Sequence, residues 1–144
     1  MLNELRELPG HAYYGENFWG HEKKTVFTHN WVHVAGGHEI PEPGDALPVT
    51  VAGLPVVVVR QRDGAVRGFH NVCRHRGCLL VTERQQARPV LTCKFHAWGY
   101  GLDGALRRTP YWTAEDGTAE PGFDPSRFGL LPVATATWCD QIFV

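Results

Sequence analysis

Long apolar runs are missing from this sequence of 144 residues. The longest uninterrupted aliphatic stretch is the four valines at 56–59, far short of the roughly 20 residues a membrane-spanning helix needs. A charge excess is missing as well. Lys and Arg number 14 against 15 Asp and Glu, a formal net charge of −1, which excludes a globally basic nucleic-acid binder and an acidic tail protein. Cysteine is scarce: Cys73, Cys78, Cys93 and Cys139 are the whole set. The N-terminus lacks the charged-then-apolar pattern of an export signal, since residues 2–9 are short and amphipathic. The expectation is therefore a cytoplasmic protein whose thiols serve metal or redox chemistry, with neither a membrane nor a nucleic acid as partner. Low-complexity tracts and internal repeats are also absent.

What is present is 43% hydrophobic and 20% charged, a balance that excludes a disordered chain. Sixteen glycines and ten prolines imply frequent turns, hence short strands rather than a helical bundle. A lead-in over residues 1–35 contains a short amphipathic helix predicted at 16–28, where Phe18, Trp19, Val26 and Phe27 stand among polar residues. Strands are predicted at 31–35, 49–52, 55–60, 66–71, 89–92, 98–101, 131–138 and 142–144. Asp63-Gly64 and Asp103-Gly104 mark hairpin turns, because Asp-Gly accepts the positive φ such turns need. Residues 110–129, rich in Pro, Gly and acids, are expected as a surface loop. The fold class is mostly β and antiparallel, one domain over residues 1–144.

The chemistry concentrates in two short pairs, Cys73-x-His75 and Cys93-x-x-His96. Two thiols and two imidazoles in two tight pairs are a metal site by default, each pair placing its ligands from one loop tip. Structural zinc usually has two to four residues between paired ligands, and a single residue between Cys73 and His75 is too tight for that. The alternative is a two-iron cluster with Cys73 and Cys93 on one iron and His75 and His96 on the other. The surroundings are cationic: residues 60–108 hold ten basic and three acidic side chains, a net of +7, while the remainder carries −8. Such a rim steers an acidic partner towards the segment.

The spacing Cys73-x-His75, a 17-residue gap and Cys93-x-x-His96 resembles the Rieske [2Fe-2S] family. The resemblance implies an antiparallel Rieske-type β fold with two cluster-binding loops within 73–98 and a short N-terminal helix. It also implies a [2Fe-2S] cluster held by Cys73, His75, Cys93 and His96. Two imidazoles in place of two thiolates ease reduction, so such clusters lie at roughly −150 to +300 mV. Their ligand rings can also couple electron uptake to a proton. The respiratory-complex type has a disulfide between its two loops. Here Cys78 stands at one position but Phe95 at the other, so that bridge is not expected, and Cys78 is expected to pack beneath the loop as a small apolar residue. Where that type has a Ser bonding a sulfide, this sequence has Trp98. Tyr100 fits the Tyr that bonds a ligand Cys. Fewer such bonds predict a potential near the low end of the range.

Residues 71–77 with Trp98, Tyr100 and Leu102-Asp103-Gly104 resemble the α subunit of aromatic-ring-hydroxylating oxygenases and related demethylases, as does the lead-in with Trp31. That resemblance implies one-electron relay from a ferredoxin or flavin-dependent reductase to a mononuclear iron, which in such oxygenases belongs to a neighbouring subunit. Arg76, Gly77, Trp98 and Tyr100 would surround the ligands, and Arg74, Arg76 and Lys94 would dock the donor. Phe69, Trp98, Tyr100, Tyr111 and Trp112 would shield the cluster. The apolar end at 142–144 suggests that the chain is part of something longer. The expectation is that the catalytic iron domain lies outside this chain, with no mononuclear iron here. Asn30-x-x-His33-x-x-x-x-His38 imitates that iron site's spacing, with Asn where the family has an acid. The rival readings are a stand-alone Rieske ferredoxin and a zinc-binding β domain. A commoner Gly is replaced by Ala97, a small change.

Overall fold

The computed structural model describes residues 7–110 and 122–144. In chain order its main elements are α1 (Glu16–Glu22), β1 (His33–Gly36), β2 (Ala46–Val51), β3 (Leu54–Arg60), β4 (Val66–His70), β5 (Val90–Thr92), β6 (Gly99–Gly101), β7 (Leu106–Arg108), β8 (Pro132–Val133), β9 (Ala136–Trp138) and β10 (Gln141–Phe143). They form three sheets with strand orders β1-β10-β9, β2-β3-β4-β8 and β5-β6-β7, and each pairing is antiparallel. The mostly β expectation agrees with this architecture.

The valine run explains how the sheets are held together. β-branched side chains suit a pleated surface, and a strand without polar members needs cover on both faces. Successive side chains of β3 point to opposite faces. Val57 and Val59 enter a core with Phe69, Cys73, Leu91, Cys93, Trp98 and Tyr100, whereas Val58 enters a second core with Ala35, Ile40 and Ile142. One strand thus lies between two cores, and the larger core contains both thiols of the paired motifs.

Both Asp-Gly turns form as predicted. Gly64 and Gly104 have φ of 83° and 81°, and the Asp63 and Asp103 carboxylates accept the N–H of Ala65 and Ala105 at 3.0 and 3.1 Å. Gly104 is required twice, because a Cβ there would sit 2.5 Å from the Phe69 ring. Buried polar groups tie the sheets together. Gln61 Nε2 donates to the carbonyl of Leu102 at 2.7 Å, and Asn71 donates to the carbonyl of Val81 and accepts its N–H.

Several boundaries differ from expectation. The helix ends at Glu22 and continues as a π-helical turn over Lys23–Phe27, and neither part buries a residue. Its apolar side chains are covered only in part, with Phe18 and Phe27 half-buried and Trp19 edge-on to Phe27 at 5.3 Å. β2 begins at Ala46, where a bridge to Gln85 extends the pairing. β7 was not anticipated, because a three-residue strand ending in two arginines carries no clear period. The single strand expected at 131–138 divides into β8 and β9, which pair in different sheets, and the Thr135 hydroxyl turns back onto the Val133 carbonyl at 2.8 Å between them. The expected surface loop at 110–129 lies partly outside the described residues. Its later part departs from expectation, since Phe123 and Phe128 pack against the core beside a 3-10 turn at Pro125–Phe128 whose N-cap is Asp124.

Candidate metal centre

Two loops carry the motif residues, one after β4 and one between β5 and β6. They close with the same bonds. Cys73 N–H donates to the Cys78 carbonyl at 2.8 Å and Gly77 N–H returns to the Cys73 carbonyl at 2.9 Å; Cys93 N–H donates to the Trp98 carbonyl at 2.8 Å and Ala97 N–H returns to the Cys93 carbonyl at 3.0 Å. The fourth residue after each cysteine is left-handed, with φ of 71° at Gly77 and 54° at Ala97. The loops are therefore a structural repeat with little sequence identity: they share a Cys followed by a basic residue, a His at a different offset and one backbone conformation. Ala97 adopts this conformation without glycine's freedom, at a cost of roughly 1–2 kcal/mol, and the loop keeps its shape. The His falls two residues after Cys73 and three after Cys93, and both imidazoles project from the same side of the paired loops, their ring centroids 4.7 Å apart at 77°.

The donors sort by type. Cys73 and Cys93 are buried, and their sulfurs lie with that of Cys78 within 4.8 Å of one another. Among the described residues no histidine nitrogen joins that thiol group. Ligands of one tetrahedral zinc would bring sulfur and nitrogen to about 3.5 Å of each other. The thiols and imidazoles thus suit two neighbouring metals, with sulfur on one and nitrogen on the other. Cys78 is unpaired and packs against the main core as expected, and the structure adds a contact that sequence reasoning did not foresee: its Sγ lies 3.3 Å from that of Cys93. Its place five residues after Cys73, opposite Trp98 in the other loop, was the only signal.

The neighbouring side chains act on these donors. The buried Tyr100 hydroxyl accepts the Arg74 N–H at 3.0 Å and lies 3.3 Å from Cys73 Sγ. One lone pair is thus occupied and the O–H is free to donate to sulfur. Trp98 stacks on His75, with centroids 4.8 Å apart and planes at 11°, and is flanked edge-on by Phe123 and Phe128. Its Nε1–H is buried and has no hydrogen-bond partner among the described residues, an orphaned donor of the kind a bound group can satisfy. Burial, the His96 ring and the Arg76 guanidinium lower the pKa of His75, which favours the neutral ring that binds metal. Burial pushes the Cys78 thiol up to about 11. At Cys93 burial acts upwards too, but the N–H groups of Phe95 and His96 and the Cys78 thiol outweigh it, and the pKa falls. Two thiols, two imidazoles and this orphaned donor fit an iron–sulfur group.

Gly77 and the cations Arg74, Arg76 and Lys94 are exposed beside the loops. Lys94 lies 3.4 Å from the Glu83 carboxylate. Phe95, 67% exposed, puts its ring edge-on to His96. Phe69 is in the core, whereas Tyr111 and Trp112 lie outside the described residues. The imitation iron motif is not assembled: Asn30 bonds the Val26 carbonyl, His33 bonds Gln141 at 2.6 Å, and His38 faces Asp140 at 4.0 Å. Cys139 is exposed and unpaired.

The sheet framework, the paired loops and the mixed sulfur and nitrogen donors define a class of iron–sulfur domain. The chain belongs to the Rieske [2Fe-2S] domain family, whose profile matches residues 30–123. It is 34% identical to the carnitine monooxygenase oxygenase subunit of Escherichia coli (strain K12) over 98% of this chain and 36% of that protein. Against the large oxygenase component of the 2,4-dinitrotoluene dioxygenase system of Burkholderia sp. (strain RASC) it is 40% identical over 77% of this chain and 25% of that one. Among solved structures, a quaternary ammonium Rieske monooxygenase matches with a TM-score of 0.83 at 32% identity over 94% of this chain and 37% of the other. A naphthalene 1,2-dioxygenase matches with a TM-score of 0.77 at 35% identity over 87% and 28%. The chain spans about a third of the length of the curated relatives it matches across nearly its whole length. As a Rieske domain similar to those of oxygenase α subunits it carries a [2Fe-2S] cluster and serves electron transfer, which overturns the zinc reading. No helix among the described residues is long and apolar enough to cross a membrane.

Proposed function

We propose that Cys73 and Cys93 hold one iron of the cluster and His75 and His96 the other. The domain then relays single electrons for a Rieske oxygenase, from a ferredoxin or flavin-dependent reductase to a mononuclear iron in a catalytic domain of a neighbouring subunit. The observation that carries this reading is the separation of donors, three thiols within 4.8 Å of one another and no imidazole among them. When bound, the cluster supplies a one-electron site at roughly −150 to +300 mV. The chain's own residues do the rest. Tyr100 directs its hydroxyl at Cys73, Trp98 walls off His75, and the half-buried His75 and His96 rings offer an edge at the surface. The match to oxygenase subunits extends over 98% of the chain, lead-in included, which favours this reading over a free ferredoxin. One solved relative is described in terms of inter-subunit electron transfer, in keeping with a neighbouring acceptor.

The test is an EPR spectrum of the dithionite-reduced protein with iron and zinc analysis of the same sample. A rhombic signal of low average g and about two irons per chain is expected. A silent spectrum with one zinc per chain overturns the reading. For the donor side, Arg74→Ala, Arg76→Ala and Lys94→Ala should each slow reduction by an acidic donor and flatten its salt dependence in stopped-flow traces. Unchanged rates in all three would place the docking surface elsewhere.

A further inference from the structure

Cys78 is the one thiol of the buried group that the proposed ligand set does not use. Its Sγ is 3.3 Å from Cys93 Sγ and within 4.8 Å of Cys73 Sγ. Its place is fixed from two sides. The Cys78 carbonyl accepts the Cys73 N–H at 2.8 Å, and the side chain packs against the main core. A cysteine bound to iron is a thiolate without a proton. Across the Cys78–Cys93 contact, then, only Cys78 has hydrogen to give.

We propose that Cys78 is a positioning residue that donates an S–H···S hydrogen bond to the Cys93 thiolate and so raises the reduction potential of the cluster. The inference rests on the ligand set proposed above. Reduction adds negative charge that spreads onto the ligand sulfurs, and a donor aimed at a sulfur stabilises the reduced form more than the oxidised one. Tyr100 stands in that relation to Cys73. Cys78 supplies the equivalent for Cys93, so each thiolate has one side-chain donor. A thiol is the weaker of the two, so its effect should be the smaller.

The experiment is a redox titration of the cluster-loaded protein as wild type, Cys78→Ala and Cys78→Ser, with resonance Raman spectra of each. Cys78→Ala should shift the midpoint to more negative potential and move the iron–cysteine stretching bands upwards, with loss of part of their sensitivity to D2O. Cys78→Ser, which keeps a donor, should hold the midpoint close to wild type. If Cys78→Ala leaves the cluster too labile to titrate, Cys78→Val fills the space without a donor and should show the same negative shift. An unchanged midpoint in the donor-free variant overturns the proposal, as does an equal shift in Ala and Ser, which would mean packing alone. A wild-type protein without a Rieske EPR signal fails the ligand assignment itself. An intact signal with an unmoved midpoint fails only the role of Cys78.

Discussion

Cys73→Ser and Cys93→Ser should each empty the centre, taking iron from about two per chain to near zero and abolishing the visible absorption. Cys139→Ser should change neither. The reason lies in burial and softness. Both sulfurs are within the main core, and among the described residues the one other soft donor of the group is Cys78, whose backbone is tied to the Cys73 N–H and which would have to leave its contact with Cys93 to replace a lost ligand. A serine oxygen is a harder ligand and holds its proton at neutral pH. Cys139 is exposed on a turn with left-handed φ of 47°, remote in role from the donors. Because the two cores are built on β3 and not on the metal, far-UV circular dichroism should keep its β signature in both variants, while thermal unfolding moves down through loss of the stabilisation that a bound group gives the native state. Iron analysis decides the outcome. Two irons retained in Cys73→Ser would remove Cys73 from the ligand set.

Trp98→Ala should be the most damaging single change outside the ligands. Trp98 is 2% exposed and touches His75, Phe123 and Phe128 at centroid distances of 4.8, 5.9 and 5.8 Å. Truncating a buried Trp costs about 3–5 kcal/mol. At roughly 2–8 °C per kcal/mol for domains of this general size, calorimetry should show Tm falling by at least about 6 °C. The cavity also opens the His75 side to water, so the cluster should bleach faster in air. Trp98→Phe keeps the stack on His75 and should fall between. A Tm within about 3 °C of wild type in Trp98→Ala, outside the range that cavity costs allow, would mean that the aromatic layer is not a structural part of the site.

How far the site was legible follows from where each signal is stored. The ligand pairs and the two Asp-Gly turns are local, each spanning a few residues, and chemistry or φ tolerance names them directly. Tyr100 was legible only through resemblance, since its hydroxyl meets Cys73 from 27 positions away in the sequence. Phe123 and Phe128 were hidden in a segment whose Pro, Gly and acids outweigh two aromatics in any local count. The amphipathic pattern of the lead-in marked a helix, but periodicity reports a face and not its partner, so it did not say what covers that face.

By itself the sequence determined the kind of chemistry, two thiols and two imidazoles at spacings that suit paired loops, and the β class, from turn residues and a run of β-branched valines. These are properties of residue types and short spans, set by ligand softness, backbone sterics and side-chain branching. Only the tertiary structure decided that the valine run separates two cores and that both cysteine loops share one hydrogen-bonded conformation. It also decided that imidazoles stand apart from thiols and that Cys78 reaches Cys93. Each of these depends on strands pairing in one register. Cys78 and Cys93 are 15 residues apart, and the pairing of β5 with β6 shapes the loop that carries Cys93. No local preference encodes that distance; closing the chain around a shared core does.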